Sequence, residues 1–293
     1  MILKTPDESW ETTGPALNPS GKFSRVYPGI NRLTSEAVIL KKIYPPYLPG
    51  SAQEFAFRSE GMLKKPWKFS ISPLKLLKTK NELWIVFPRF PGKSLRDSGP
   101  ELARLKPENK RELLKKLLLG LAEIHAEKIL HLDIKPSNIL IDWQYELPEK
   151  ICFIDFGMHR NLKFKYPKGK TGKGNFSFYY AAPEQILNAT EVFSPATDVY
   201  ALGMTFFWVL TGKEPFSEQH PAALTQLMLN ESLNTRDISD FPTEILDGMT
   251  RKFKFSKPPH LLPENEMLHG LRQGMAERFP VPTVLEKITT RTE

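Results

Sequence analysis

Between residues 20 and 43, apolar and β-branched positions alternate with polar ones in two runs, FSRVY and EAVILKKI, on either side of the polar segment NRLTS. That period of two predicts strand, turn and strand. Pro45, Pro46 and Pro49 stop the second strand, Ser51 stands where a helix cap belongs, and Pro66 ends a helix predicted to reach about Lys65. PLKLLKT and ELWIVFP, separated by Lys80 and Asn81, predict a further hairpin. Up to Pro88 the chain reads as antiparallel sheet with one helix. After Pro91 and Gly92 the pattern changes, because Asn109 to Glu127 repeats apolar residues at helical spacing with Lys and Glu between them. Short strands at Ile139–Ile141 and Ile151–Ile154 follow, then a basic, glycine-containing loop from about His159 to Asn175, and helices dominate from Ala196 onward. No internal repeat is visible, and the shift in character near 88–94 marks the boundary between a sheet-rich and a helix-rich part.

A chain of 293 residues suits two small lobes or one larger domain, and 40% hydrophobic with 25% charged residues is ordinary for a soluble globular protein. The start, MILKTPDESWETTG, lacks the basic beginning and apolar run of a signal peptide and is too acidic for a transit peptide, so a cytoplasmic location is expected. The most apolar window, Ala201 to Leu210, is about half the length needed to cross a bilayer and reads as a buried core helix, so no membrane span is expected. The net charge of +8 comes without zinc-finger spacing or an aromatic RNA-binding motif, and no specific nucleic-acid role follows from it. Cys152, the only cysteine, excludes an intrachain disulfide and any cysteine-rich zinc site, and its apolar neighbours predict an inert buried thiol. His125, His159, His220, His260 and His269 lack metal-ligand spacing and read as surface residues.

The sharpest motif is His131-Leu132-Asp133-Ile134-Lys135-Pro136-Ser137-Asn138, directly after the amphipathic helix and directly before an apolar strand. Asp155-Phe156-Gly157 follows the strand ICFI, and Ala182-Pro183-Glu184 comes later. On these ordered motifs the chain resembles the eukaryotic-type Ser/Thr protein kinase family, from about Gly21 to Arg278. The resemblance implies an α+β, bilobal fold: a small N-lobe of five-stranded antiparallel sheet plus one helix, and a larger, mainly helical C-lobe, with ATP between them. The expected division is an N-terminal extension over 1–18 and a kinase domain over 19–293, with the N-lobe at about 19–88, a hinge at about 88–93 and the C-lobe at about 94–293.

The resemblance also assigns roles. Asp133 orients the acceptor hydroxyl and takes its proton, Lys135 balances charge on the moving phosphoryl group, and Asn138 and Asp155 are the oxygen ligands of Mg²⁺. Strand alternation puts Ile39 and Lys41 on one face and Lys42 on the other. Lys41 is chosen as the nucleotide-facing lysine, with Ile39 and Val26 covering adenine. Glu60 is the preferred carboxylate partner of Lys41, and Glu54 the alternative. Gly21 alone survives of the usual phosphate-covering glycines in Pro19–Val26. Phe87 guards the back of the adenine pocket, Pro88 to Phe90 form the hinge, and Leu140 completes the nucleotide-contacting set. Leu132 stands where many relatives have arginine, a non-RD pattern in which loop phosphorylation is not obligatory. Ser177 and Lys135 favour Ser/Thr over Tyr acceptors. Lys163, Lys165, Lys168, Lys170 and Lys173 suit acidic or phosphorylated substrates, and equally a solvated loop. His131 and Phe156 are core residues, Glu184 pairs with Arg278, and Asp198 anchors the catalytic loop. The function expected is an ATP- and Mg²⁺-dependent Ser/Thr protein kinase. A pseudokinase scaffold with weak nucleotide binding and a kinase-like enzyme acting on a small molecule stand as alternatives, and the oligomeric state is left open.

Overall fold

The computed structural model describes residues 1–5, 7–18, 24–43, 50–79, 82–163, 177–216 and 220–290. The chain falls into two compact units, Met1–Pro91 and Gly92–Glu293. The first is a small antiparallel sheet with one helix and the second is mainly helical, the α+β organisation that the sequence pattern predicts.

The first unit contains β1 (Ile2–Lys4), β2 (Ser9–Thr12), β3 (Ser24–Asn31), β4 (Ala37–Ile43), α1 (Ala52–Gly61), β5 (Lys75–Lys78) and β6 (Leu83–Pro88). Its sheet has six strands in the order β1-β2-β3-β4-β6-β5, not the expected five. Two of the six, β1 and β2, come from residues read as an extension. Leu3 and Trp10 are buried, at 4% and 1% exposure, and join Val38, Leu40, Trp84 and Val86 in one core on one face of the sheet. Beyond β2 the segment stays tied to β3: the Thr13 N–H donates to Pro28 O at 2.9 Å, Leu17 N–H to Val26 O at 2.7 Å, and Asn18 Oδ1 accepts from Val26 N–H at 2.6 Å. Across the ends of the sheet, Lys75 of β5 reaches Glu8 beside β2 at 3.1 Å. Gly29 of β3 is required by this packing, since a Cβ there would lie 2.7 Å from Glu11 O and 2.8 Å from Leu40 Cδ1.

The opposite face carries a second core of Ile43, Phe57, Leu83, Ile85 and Phe87, with Phe57 supplied by α1. A sheet buried on both faces explains why β6 reads as an unbroken apolar run. Ser51 caps α1, its hydroxyl accepting from Glu54 N–H at 3.2 Å. The helix ends at Gly61, short of the predicted Lys65. Lys65 precedes a proline, which disfavours helical backbone there, and the Ser72 hydroxyl takes both backbone groups of Lys65, accepting at 3.0 Å and donating at 2.5 Å.

The second unit contains β7 (Lys93–Ser94), α2 (Gly99–Arg104), α3 (Pro107–Ala126), β8 (Ile129–Leu130), β9 (Ile139–Gln144), β10 (Leu147–Phe153), β11 (Arg160–Asn161), α4 (Pro183–Ile186), α5 (Pro195–Thr211), α6 (Pro221–Asn230), α7 (Thr243–Met249), α8 (Glu264–Ala276) and α9 (Val281–Thr290). Helix α3 buries Leu113, Leu114, Leu117, Leu118, Leu121 and Ile124, the stripe that its helical spacing predicts. Ser194 and Pro195 start α5 in the manner of a capped helix, and Gly212, at φ 67°, ends it in the left-handed region. Between these caps α5 is buried from Thr197 to Val209, as suits a core helix that is apolar all round. Among the described residues no helix is long and apolar enough to cross a membrane.

Cys152 lies in β10 at 4% exposure, and burial pushes its thiol up to about 12. The thiolate is the reactive form. Iodoacetamide at about pH 8 should therefore leave the folded chain unmodified and label it once unfolded, which intact-mass spectrometry would read.

Candidate active site

In the first unit the pairing of β4 with β3 and β6 sets Lys41 opposite Val26 and Ile85. Lys41 is 7% exposed and Glu60, in the last turn of α1, is 3% exposed. Lys41 Nζ lies 2.8 and 2.7 Å from the two carboxylate oxygens of Glu60. Removing two charges from water is costly, and engagement of both oxygens by the ammonium offsets that cost. Glu54 is occupied elsewhere, accepting from Gly50 N–H at 2.8 Å and from Arg58 Nε at 2.7 Å. Lys42 points to the other face, where it pairs with Glu82 and lies 5.3 Å from the Trp84 ring centroid. Val26 and Ile39 are half-buried, and Ile39 sits opposite Phe87 in the β4–β6 register. Phe87 is buried in the α1-side core, Pro88 is exposed at the end of β6, and Phe90 is half-buried. Gly21 lies outside the described residues.

In the second unit the loop between β8 and β9 is built on Asp198, a fully buried carboxylate of α5. Its two oxygens accept from the backbone N–H groups of His131 and Leu132, each at 2.8 Å, and Oδ2 also meets His125 Nε2 at 3.0 Å. Leu132 takes a left-handed conformation, φ 64°, which costs a non-glycine residue about 1 kcal/mol. The Asp198 bonds and a bond from Gln185 Nε2 to Leu132 O, at 2.9 Å, hold it there. His131 Nδ1 accepts from Asp133 N–H at 3.2 Å while Nε2 faces Ile154 O at 3.1 Å, and its ring lies 4.6 Å from that of Phe156.

This frame fixes the polar side chains. Asp133 Oδ2 accepts from Lys135 Nζ and from Asn138 Nδ2, both at 2.8 Å. Lys135 Nζ also contacts Ser177 Oγ. Asn138 Nδ2 bonds Asp133 O as well, so the amide nitrogen is fully committed toward Asp133. The Ile154 N–H donates to Asn138 O at 3.0 Å, which sets Asn138 beside the residue preceding Asp155. Asp155 is exposed and left-handed, with φ 64° and ψ 67°. Leu140 is half-buried in β9, opposite Cys152 and Ser94. Among the described residues no group of three or more His, Cys, Asp or Glu is placed to hold a metal ion. Asn138 and Asp155 each carry a hard oxygen, the ligand type that Mg²⁺ takes, and are the residues of this site that could hold such an ion.

Further along, Glu184 and Arg278 form a buried pair at 2.6 and 3.0 Å. Of the loop lysines, Lys163 is exposed, and Lys165, Lys168, Lys170 and Lys173 lie outside the described residues. Two histidines read as surface residues are not. His125 is half-buried against Asp198, and His159 is half-buried with Nδ1 on Phe156 O. His125 follows Leu121 by one helical turn, so its place on the inward stripe of α3 was the available signal. Gln185, which ties Leu132, carried no comparable mark.

Burial holds the His131 imidazole below its ordinary range, outweighing the pull of Asp198, Asp133 and Asp155. Burial likewise lowers His159, and His131 adds to it against the bond to Phe156. Both rings take up protons on unfolding once the pH falls below 6.5, the ordinary value, so stability is lost on acidification. The expected slope is up to about 1.4 kcal/mol per pH unit for each ring. Urea unfolding between about pH 7.5 and 5 should show it, with His159→Gln flattening the profile.

A family model described as a protein kinase domain matches residues 19–273. Sperm motility kinase 3A of Mus musculus is 32% identical over 146 residues, 50% of this chain. The hormonally up-regulated neu tumor-associated kinase homolog A of Xenopus laevis is 27% identical over 77% of this chain, and the maternal embryonic leucine zipper kinase of Danio rerio 29% identical over 73%. The alignments cover 27%, 32% and 30% of those proteins, so the chain spans about a third of the length of the curated relatives it matches. With the family model covering most of its length and the motif residues gathered on the Asp198 frame, this chain belongs to the protein kinase domain family.

Proposed function

We propose that the chain transfers the γ-phosphoryl group of ATP, with Mg²⁺, to serine or threonine hydroxyls of protein substrates. The observation that carries this reading is the state of Asp133. Its Oδ2 is pinned by Lys135 and Asn138, while Oδ1 makes no hydrogen bond among the described residues. Oδ1 is thus the oxygen that accepts the substrate hydroxyl proton as the hydroxyl oxygen bonds to the γ-phosphorus and the bond from that phosphorus to ADP breaks, ADP leaving. Lys135, between Asp133 and Ser177, balances negative charge on the acceptor side and orders the segment that receives a small aliphatic hydroxyl. With Nδ2 spent on Asp133, Asn138 would turn Oδ1 to the cation, and Asp155 would supply the second oxygen. Mg·ATP, when bound, would supply the phosphoryl group and positive charge that offsets the charge of its phosphates. Lys41, oriented by Glu60, meets phosphate charge in the first unit. With Leu132 in place of arginine, activity does not require loop phosphorylation.

The single glycine in Pro19–Val26 favours a second reading, a scaffold that binds nucleotide weakly. Labelled ATP separates the two. The enzyme reading expects Mg²⁺-dependent labelling of Ser/Thr peptides over matched Tyr peptides, lost in Asp155→Ala. Absence of Mg²⁺-dependent transfer by a folded chain would leave the scaffold.

A further inference from the structure

Where backbone pairing along the outer edge of β3 runs out, a side chain takes it over. The Leu17 N–H donates to Val26 O at 2.7 Å, as in an antiparallel pair of strands. One residue later the partner is an amide side chain: Asn18 Oδ1 accepts from Val26 N–H at 2.6 Å, and Asn18 Nδ2 donates to Ser24 O at 3.0 Å. An N–H and a C=O need opposite partners, so the amide fits in one orientation only. The sequence supplies the reason for the substitution of side chain for backbone. A strand running on from Leu17 would offer Ser24 O the N–H of residue 19, and residue 19 is a proline, which has none. Asn18 thus bridges the two ends of residues 19–23, which lie outside the described residues.

The inner edge of β3 is held separately by β4, with Ser24 opposite Ile43 and Val26 opposite Lys41. Successive residues of a strand turn their backbone groups to opposite edges, so Val26 faces Asn18 while Arg25 and Tyr27 face β4. The half-buried Asn18 therefore fixes, from the outer side, the backbone of the residue directly across from Lys41. Lys41 is itself fixed by both oxygens of Glu60. Without the amide, the stretch free of outer-edge bonds would lengthen from 19–23 to 18–25, and a longer free stretch loses more entropy when it is ordered.

We propose that Asn18 is a positioning residue for the phosphates of the nucleotide: by bridging Ser24 and Val26 it sets in advance the end of β3 that runs beside Lys41. This rests on the phosphoryl-transfer reading, in which Lys41 meets phosphate charge. A triphosphate gains from the bridge, because order present beforehand is not lost on binding. Adenosine, which has no phosphates, gains little.

The test compares the full chain with Asn18→Ala and Asn18→Asp. Without nucleotide, amide exchange read by NMR should speed up about tenfold at Val26 in Asn18→Ala and stay unchanged at Tyr27. Asn18→Asp keeps an acceptor for the Val26 N–H, and exchange there should stay at the parent rate. Calorimetric titration should show Asn18→Ala binding the ATP analogue AMP-PNP with Mg²⁺ about fivefold more weakly, and adenosine less than about twofold more weakly. Its melting temperature should fall by at most a few degrees. A purely structural part would weaken both ligands alike. Parent-rate exchange at Val26 in Asn18→Ala would overturn the bridge. Equal effects on AMP-PNP and adenosine, or none on either, would overturn the positioning role alone. A parent chain that binds neither ligand would overturn the phosphoryl-transfer reading, and this inference with it.

Discussion

Asp133→Asn is expected to lower kcat for peptide phosphorylation by about 10³-fold, within the range contributed by a positioned general base, with KM for ATP changed little. The substitution is nearly isosteric. One amide oxygen can still accept from Lys135 and Asn138 at the Oδ2 position, which preserves the loop. The NH₂ group then stands where Oδ1 accepted, and a donor replaces the base. Steady-state kinetics with a Ser peptide checks this, and the melting temperature should match the parent. A loss of less than about threefold would mean that Oδ1 does not take the proton, and Asp133 would be left with a purely structural part in the loop.

Cutting the chain at residue 19, where the family match begins, is expected to unfold the first unit. Trp10 is 1% exposed, and truncating a buried tryptophan to alanine costs about 3–5 kcal/mol. The cut also removes Leu3 and the bonds from Thr13, Leu17 and Asn18 to β3. Whole domains are stable by only about 5–15 kcal/mol, so the loss is comparable to the total. Urea unfolding of the parent, Trp10→Ala and the shortened chain should give that order of stability. Were residues 1–18 a loose appendage, both changes would fall within about 0.5 kcal/mol of the parent.

What could be read in advance tracks how strongly each residue pattern is constrained. Helix α3 was legible because six buried apolar residues recur along one face, and the ends of α5 because Ser194, Pro195 and Gly212 punctuate it. Alternation along β4 separated Lys41 from Lys42, and their partners lie on opposite faces of the sheet. Strands β1 and β2 were not legible. They are three and four residues long, with one buried side chain each, too short for a period of two to register. The end of α1 was missed because a tertiary contact, Ser72 on Lys65, captures backbone groups that a local reading leaves to the helix. In the site, motif spacing singled out Asp133, Lys135 and Asn138, whose side chains hydrogen-bond together, but the three-way use of Asp198 by residues 125, 131 and 132 joins segments remote in sequence. A lone histidine on a helix gives little hint of such a partner.

The edges of the first sheet bear on solubility. Open strand edges recruit other strands, and natural sheets blunt them. Here one edge is the three-residue β1, and the other, β5, carries Lys75 and Lys78, with Lys75 held across to Glu8. Residues 9–18 meanwhile occupy the outer side of the eight-residue β3. A chain lacking them would leave the outer edge of that long strand unpaired while its other edge stays on β4, so its failure in the test tube would take the form of intermolecular aggregation as well as lost stability.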